Sequence, residues 1–94
     1  PAYSLGKSIM EDTIRILAPE LARMNITANV ISPSFTATGM NSTVPERILV
    51  KLAEKVPMGR LCSNEDIVSI IQYLLQPNAT FISGQSIAVS GAKR

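Results

Sequence analysis

Ile26-Thr27-Ala28-Asn29-Val30-Ile31-Ser32, halted by Pro33, is the stretch on which the fold turns. Ile26, Val30 and Ile31 make a short apolar run, and the proline stops it, which is the pattern of a mostly buried strand. Upstream, Met10, Ile14, Leu17, Leu21 and Met24 recur at helical spacing and predict one face of a helix running from about Ser4 to Met24. Pro19 lies within it, where it removes the bond to the Arg15 carbonyl and predicts a kink. Asn25, which tolerates the left-handed conformation, predicts the stop. Downstream, Ser34 to Ser42 is rich in Ser, Thr, Gly and Asn and reads as a loop. Thr43-Val44-Pro45-Glu46 resembles a capping box opening a helix through about Lys55, with Ile48, Leu49, Leu52 and Val56 facing inward. Pro57 to Leu61 is a turn. Ser63 then caps a helix with Glu65 and Asp66 in its first turn and Ile67, Ile70, Ile71, Leu74 and Leu75 on one face, ended by Pro77. Ser83-Gly84 marks a turn, and Gln85 to Ser90 alternates through Ile87 and Val89 as a final strand.

The order helix, strand, helix, helix, strand predicts an α/β fold with a parallel sheet and right-handed crossovers. Two strands do not make a stable sheet alone, so the 94 residues are expected to be part of a larger α/β domain. Apolar residues make up 46% and charged residues 17%, a globular rather than disordered balance. No histidine occurs, which excludes Ser-His-Asp and Cys-His catalysis and His-ligated zinc within this sequence. One cysteine, Cys62, excludes an internal disulfide and a multi-thiolate site, so no metal is expected. Nine Lys/Arg against seven Asp/Glu is too even a balance to indicate nucleic acid. No apolar run approaches membrane-spanning length, and the first residues show no signal pattern, so a cytoplasmic location is expected.

Tyr3-Ser4-Leu5-Gly6-Lys7 is a Y-x-x-x-K pattern at the start of a helix. Positions four apart share a helix face, so the ammonium can lie beside the phenol. A neighbouring cation favours phenolate and brings tyrosine, ordinarily near pKa 10, within reach of acid/base work. By itself the pattern is common on solvated helices.

Three further segments follow it in order. Asn29-Val30-Ile31-Ser32-Pro33-Ser34-Phe35-Thr36-Ala37-Thr38 is similar to N-x-[VI]-x-P-G-x-x-x-T. Pro57-Met58-Gly59-Arg60-Leu61 with Glu65-Asp66-Ile67 is similar to P-x-G-R-x followed by E-[DE]-[IV]. Phe81-Ile82-Ser83-Gly84-Gln85, ending in Val89-Ser90-Gly91, is similar to [FY]-[IV]-[TS]-G-Q with V-D-G-G. Together they resemble the C-terminal part of the short-chain dehydrogenase/reductase family, in its 3-oxoacyl-[acyl-carrier-protein] reductase branch, over nearly the whole sequence.

The resemblance implies that residues 1–94 are the C-terminal portion of one doubly wound, Rossmann-type domain using NAD or NADP for hydride transfer to a carbonyl or from an alcohol. It implies Tyr3 as the proton donor and acceptor, and Lys7 as the group that lowers its pKa and holds the nicotinamide ribose. It assigns Tyr3, Lys7, Pro33, Ser34, Thr36 and Thr38 to the cofactor and Phe35 and Met40 to the substrate, with Gly39 to Met58 as a lid. It also implies a homo-oligomer, dimer or tetramer, acting on a small carbonyl or alcohol substrate, either free or carried on an acyl carrier. The Gly-rich phosphate loop and the upstream catalytic residues are absent from these 94 residues, so the chain alone is not expected to turn over. A non-enzymatic interaction module is the other reading, because the long first helix and the last helix-strand unit are apolar enough to form interfaces.

Ser34 departs from the family glycine and adds a side chain where backbone is expected to approach cofactor. Cys62, Asn64 and Ser90 replace Gly, Pro and Asp. Arg47, Lys51 and Lys55 form a basic row that reads as a solvated face, or as a surface for an acidic carrier. Cys62 reads as a small buried side chain, and Glu65-Asp66 as helix-capping charge.

Overall fold

Val30 N donates to Gln85 O at 2.8 Å, and Ser34 N donates to Val89 O at 3.1 Å. Both partners advance together along the chain, so strands β1 (Val30–Pro33) and β2 (Ser86–Val89) pair in parallel, as expected of strands separated by helices. The computed structural model describes residues 2–34 and 44–93, with the backbone alone for residues 2–5. Element order is α1 (Ala2–Ala22), β1, α2 (Glu46–Glu54), α3 (Asn64–Leu74), a 3₁₀ turn (Pro77–Ala79) and β2. No helix among the described residues is long and apolar enough to cross a membrane. The chain forms two compact units, Pro1–Ile31 with Tyr73–Ile87 and Ser32–Gln72 with Ala88–Arg94.

In the first unit α1 runs continuously through Pro19 to Ala22. Ile26 N donates to Leu21 O and Asn25 N to Ala22 O, with Asn25 at φ 60°; this closes the helix in a Schellman motif on the expected residue. The buried line of α1 differs from the predicted one. Ala18 is 5% exposed and Ile14 and Leu21 are half-buried, whereas Met10, Leu17 and Met24 are 57%, 46% and 61% exposed. Ala18 is buried at a close approach: a Cβ on Gly84, which sits at φ +75°, would lie 3.2 Å from Ala18 Cβ. The turn before β2 thus packs against an alanine, and the larger side chains beside it stay outside.

β1 is displaced from the predicted Ile26–Ser32. Ala28 and Asn29 bond to a side chain and a turn instead of extending the ladder. Ala28 N donates to Ser83 Oγ at 3.0 Å, and Gly84 N donates to Ala28 O at 2.7 Å. Asn29 Nδ2 donates to Ile82 O at 3.2 Å, while Asn29 Oδ1 accepts from Gln85 N at 3.0 Å. Val30 is the buried residue of the strand, and the rest are half-buried. Pro33, expected to stop the strand, belongs to it. Val30 and Ser34 turn their N–H groups toward β2, so the intervening odd positions turn away and the missing donor of Pro33 costs no bond to β2. β2 shows the predicted alternation, with Ile87 and Val89 half-buried and Ser86 and Ala88 exposed.

In the second unit α2 starts at Glu46 with Pro45 as its N-cap and no side-chain cap bond; Thr43 lies outside the described residues. Val56, just past its end, is 3% exposed, but Ile48, predicted to face inward, is 41% exposed. α3 ends at Leu74, before Pro77, and Ile71 and Leu75 of its predicted face are exposed. Its start is as expected and more complete: Asp66 N donates to Ser63 Oγ and Ser63 N donates to Asp66 Oδ2, a reciprocal capping box. Cys62 is buried, as read from sequence.

Candidate active site

Tyr3 and Lys7 fall within α1, four residues apart on continuous helix, so their backbone positions share a face. The Lys7 side chain is exposed, and the Tyr3 side chain lies outside what is described. Pro33 closes β1 and Ser34 follows it directly. Phe35, Thr36, Thr38 and Met40 lie outside the described residues, as does the start of the lid.

What the second unit builds around Ser34 is a cavity of about 350 Å³. It lies beside Ser34, which follows β1, and Ser90 and Gly91, which follow β2, and so at the carboxyl ends of parallel strands, where open α/β sheets hold their ligands. Val56, Met58, Leu61 and Cys62 give it a largely apolar wall. Met58 is fixed by its N–H, which donates to Gly91 O at 3.1 Å. Gly91 has φ +59°, and a Cβ there would fall 2.6 Å from Val56 Cγ1, so only glycine lets the chain leave β2 this close to that residue.

Arg60 and Asp66 also border the cavity, and they spend their charge on each other. Arg60 Nη1 donates to Asp66 Oδ2 at 2.7 Å and Nη2 to Oδ1 at 3.2 Å, a two-pronged pair. The guanidinium, with the Ser63 backbone N–H and then the Ser63 hydroxyl, holds the Asp66 carboxyl far below the usual carboxylate range, and Arg60 is raised in return. Burial pushes the Cys62 thiol up, and the adjacent Asp66 charge adds to this, so Cys62 is poorly suited to act as a nucleophile. Sequence reading had placed Asp66 in a helix cap and missed its pairing with Arg60. Six residues of separation fit no helical rule, and the signal available was the Pro57–Leu61 and Glu65–Ile67 pattern itself.

One polar atom in this region is left over. Ser34 Oγ is sealed from solvent and has no hydrogen-bond partner. The cavity therefore joins a largely apolar wall to a charge pair already neutralised, with Ser34 and Ser90 at the strand ends beside it.

The family profile described as enoyl-(acyl carrier protein) reductase matches residues 1–91. The chain is 33% identical to (3R)-3-hydroxyacyl-CoA dehydrogenase of Homo sapiens, with 95% of this chain and 34% of that protein aligned. It is 34% identical to the 3-oxoacyl-[acyl-carrier-protein] reductase FabG of Aquifex aeolicus over 95% of this chain and 36% of that protein. The FabG of Buchnera aphidicola is 37% identical over the same shares, 95% and 36%. The chain therefore spans about a third of the length of the curated relatives it matches.

Proposed function

Since the chain belongs to the short-chain dehydrogenase/reductase family, we propose that the protein of which it forms the C-terminal part reduces the 3-oxo group of an acyl thioester, or oxidises the corresponding alcohol, using NAD or NADP. The match over residues 1–91 supports this reading most strongly, because it takes in the Tyr3–Lys7 pair, the strand leading to Ser34 and the turn into β2 as one ordered set. Relatives whose names specify acyl-carrier-protein, hydroxyacyl-CoA and acetoacetyl-CoA substrates favour a 3-oxoacyl thioester. A relative named 3alpha-hydroxysteroid dehydrogenase, 32% identical over 98% of this chain, makes a steroid carbonyl the competing substrate.

In this reading the dinucleotide, when bound, supplies the hydride. Tyr3 delivers its phenolic proton to the carbonyl oxygen as that oxygen gains charge, and recovers it in the reverse direction. Lys7, one helical turn on, favours the phenolate and holds the ribose hydroxyls. Pro33, Ser34, Thr36 and Thr38 hold the nicotinamide end, and Phe35 and Met40 line the acyl side. The work is done in the cytoplasm by a homo-oligomer. For the last, α1 offers Ile9, Met10, Ile16 and Leu17, all exposed; the same observation favours the second reading, in which the chain serves assembly alone.

The test is the full-length protein with acetoacetyl-CoA and either reduced nucleotide, followed by absorbance of the reduced nicotinamide. Tyr3→Phe is expected to lower turnover by about 100-fold or more with an unchanged circular dichroism spectrum. Wild-type turnover in that variant sinks the assignment. Oligomers without any absorbance change, with either nucleotide and with thioester or steroid carbonyl, leave the assembly reading standing.

A further inference from the structure

We propose that the exposed row Arg47, Lys51 and Lys55 on α2 is a docking surface for an acidic helix of the protein that carries the acyl group, so that the thioester arrives on a carrier protein. The proposal rests on the acyl-thioester reading above and names the partner that delivers the substrate. All three side chains are exposed. They recur every four residues along α2 and its C-cap, Lys55, which keeps helical backbone at φ −78° and ψ −11°. They therefore share one face, spread over about 12 Å of helix. Elsewhere Arg15, Arg23 and Arg60 each pair with a carboxylate, that of Asp12, Glu20 and Asp66 in turn. The row on α2 has no such partner among the described residues.

The stability of α2 does not account for the row. Residues four apart on a helix are neighbours, and here each such neighbour carries the same charge, which weakens the helix. The helix dipole favours Lys51 and Lys55 near the carboxyl end but opposes Arg47 in the first turn. Carboxylates on a facing partner relieve both costs. The spacing also selects among anions. A single phosphate matches one adjacent pair of these charges, whereas carboxylates on successive turns of a partner helix match all three. Ile48 flanks the row at 41% exposed and supplies an apolar contact of the kind that protein interfaces surround with a polar rim. Beyond Lys55 the chain passes directly to Val56, which borders the cavity at the strand ends, so a carrier held on the row stands beside that cavity. Exposed charges in such a place steer encounter and choose partners more than they add affinity.

The test gives the full-length protein the same acetoacetyl group on two carriers, an acyl-carrier protein and coenzyme A. Replacing the row with Arg47→Gln, Lys51→Gln and Lys55→Gln together is expected to lower the ratio of kcat/KM on the carrier-protein substrate to that on acetoacetyl-CoA by about ten-fold. Added salt is expected to lower the same ratio in wild type and to change it far less in the variant. Binding of a fluorescently labelled acyl-carrier protein, followed by anisotropy, is expected to weaken by the same factor. An unchanged ratio overturns the proposal and leaves the row a solvated face. A ratio that rises also overturns it, and gives the row to the phosphates of the coenzyme. A variant that sediments as a smaller species than wild type overturns it too, by giving the row to a second copy of this chain. Wild-type protein that reduces neither substrate overturns the acyl-thioester reading, while the anisotropy titration still decides whether the row binds the carrier, so the two failures are told apart.

Discussion

At the amino end of the strand pair, within the first unit, the side chains of Asn29 and Ser83 satisfy three backbone groups, those of Ile82, Gln85 and Ala28. At the carboxyl end, within the second unit, Ser34 keeps a hydroxyl with no partner and a cavity stands beside it. The first arrangement joins segments more than fifty residues apart in sequence, with both the amide nitrogen and the amide oxygen of Asn29 engaged. The second holds its backbone as firmly, through Ser34 to Val89 and Met58 to Gly91, but leaves capacity over. The contrast shows how one short strand pair differs between its two ends. Polar side chains at one end go to register, and at the other a hydroxyl is left unbonded beside a cavity.

The comparison breaks most readily at Gly91. Gly91→Ala places a Cβ 2.6 Å from Val56 Cγ1 at φ +59°, and the crowding together with the left-handed backbone is expected to cost about 3 kcal/mol in urea titrations. Adding Val56→Ala should relieve the crowding without relieving the backbone, so the double variant tells the two contributions apart. A single variant as stable as wild type would mean that the carboxyl end is loosely held, contrary to the contrast drawn.

Asn29→Ala tests the other end. It removes one donor and one acceptor contact at once, and about 2 kcal/mol is expected, with hydrogen exchange accelerated at Gln85 before any other residue of β2. Uniform acceleration across the chain would show that Asn29 supports the whole fold rather than the entry to the strand.

The smallest effect is expected from Asp66→Asn, which weakens the Arg60 pair and the α3 cap in a partly exposed setting. Because the folded carboxyl holds its charge far below the usual range, the unfolded chain takes up the proton first as pH falls. The contribution of Asp66 is therefore full above about pH 4 and fades below it, toward the folded pKa. The stability gap between wild type and variant should be constant from about pH 7 to pH 5 and narrow below pH 4. A gap that widens on acidification would reverse the sign and remove the carboxylate from the account.

Features set by neighbours in sequence were readable before any coordinates. Asn25 closes α1, Ser63 and Asp66 cap α3, and Ile87 and Val89 alternate in β2, each by a rule that spans a few residues. Features set by distant partners were not. The start of β1 shifted because Asn29 and Ala28 bond to the turn at Ile82–Gln85, and the buried line of α1 shifted because Gly84 comes up against Ala18. Of the proposed site, Tyr3, Lys7, Pro33 and Ser34 rest on resemblance to a family pattern and not on periodicity. The cavity wall of Val56, Met58 and Leu61 was hidden, since apolar residues around a turn look the same whether they face a cavity or a core.

Pro33 has a consequence for chains meeting one another. The edge of β1 that faces away from β2 presents Ile31 N–H as a donor, and two residues later, where the next would stand, there is a ring nitrogen with no hydrogen. Any strand that pairs on that side, from the same protein or from another, meets a ladder that loses its next donor at Pro33. Val30-Ile31-Ser32, apolar and β-prone, is the kind of segment on which sheets of separate molecules grow, and the proline limits that growth from inside the strand. Replacing Pro33 would lengthen the template, and the cost would be paid in aggregation during folding before it was seen in the folded state.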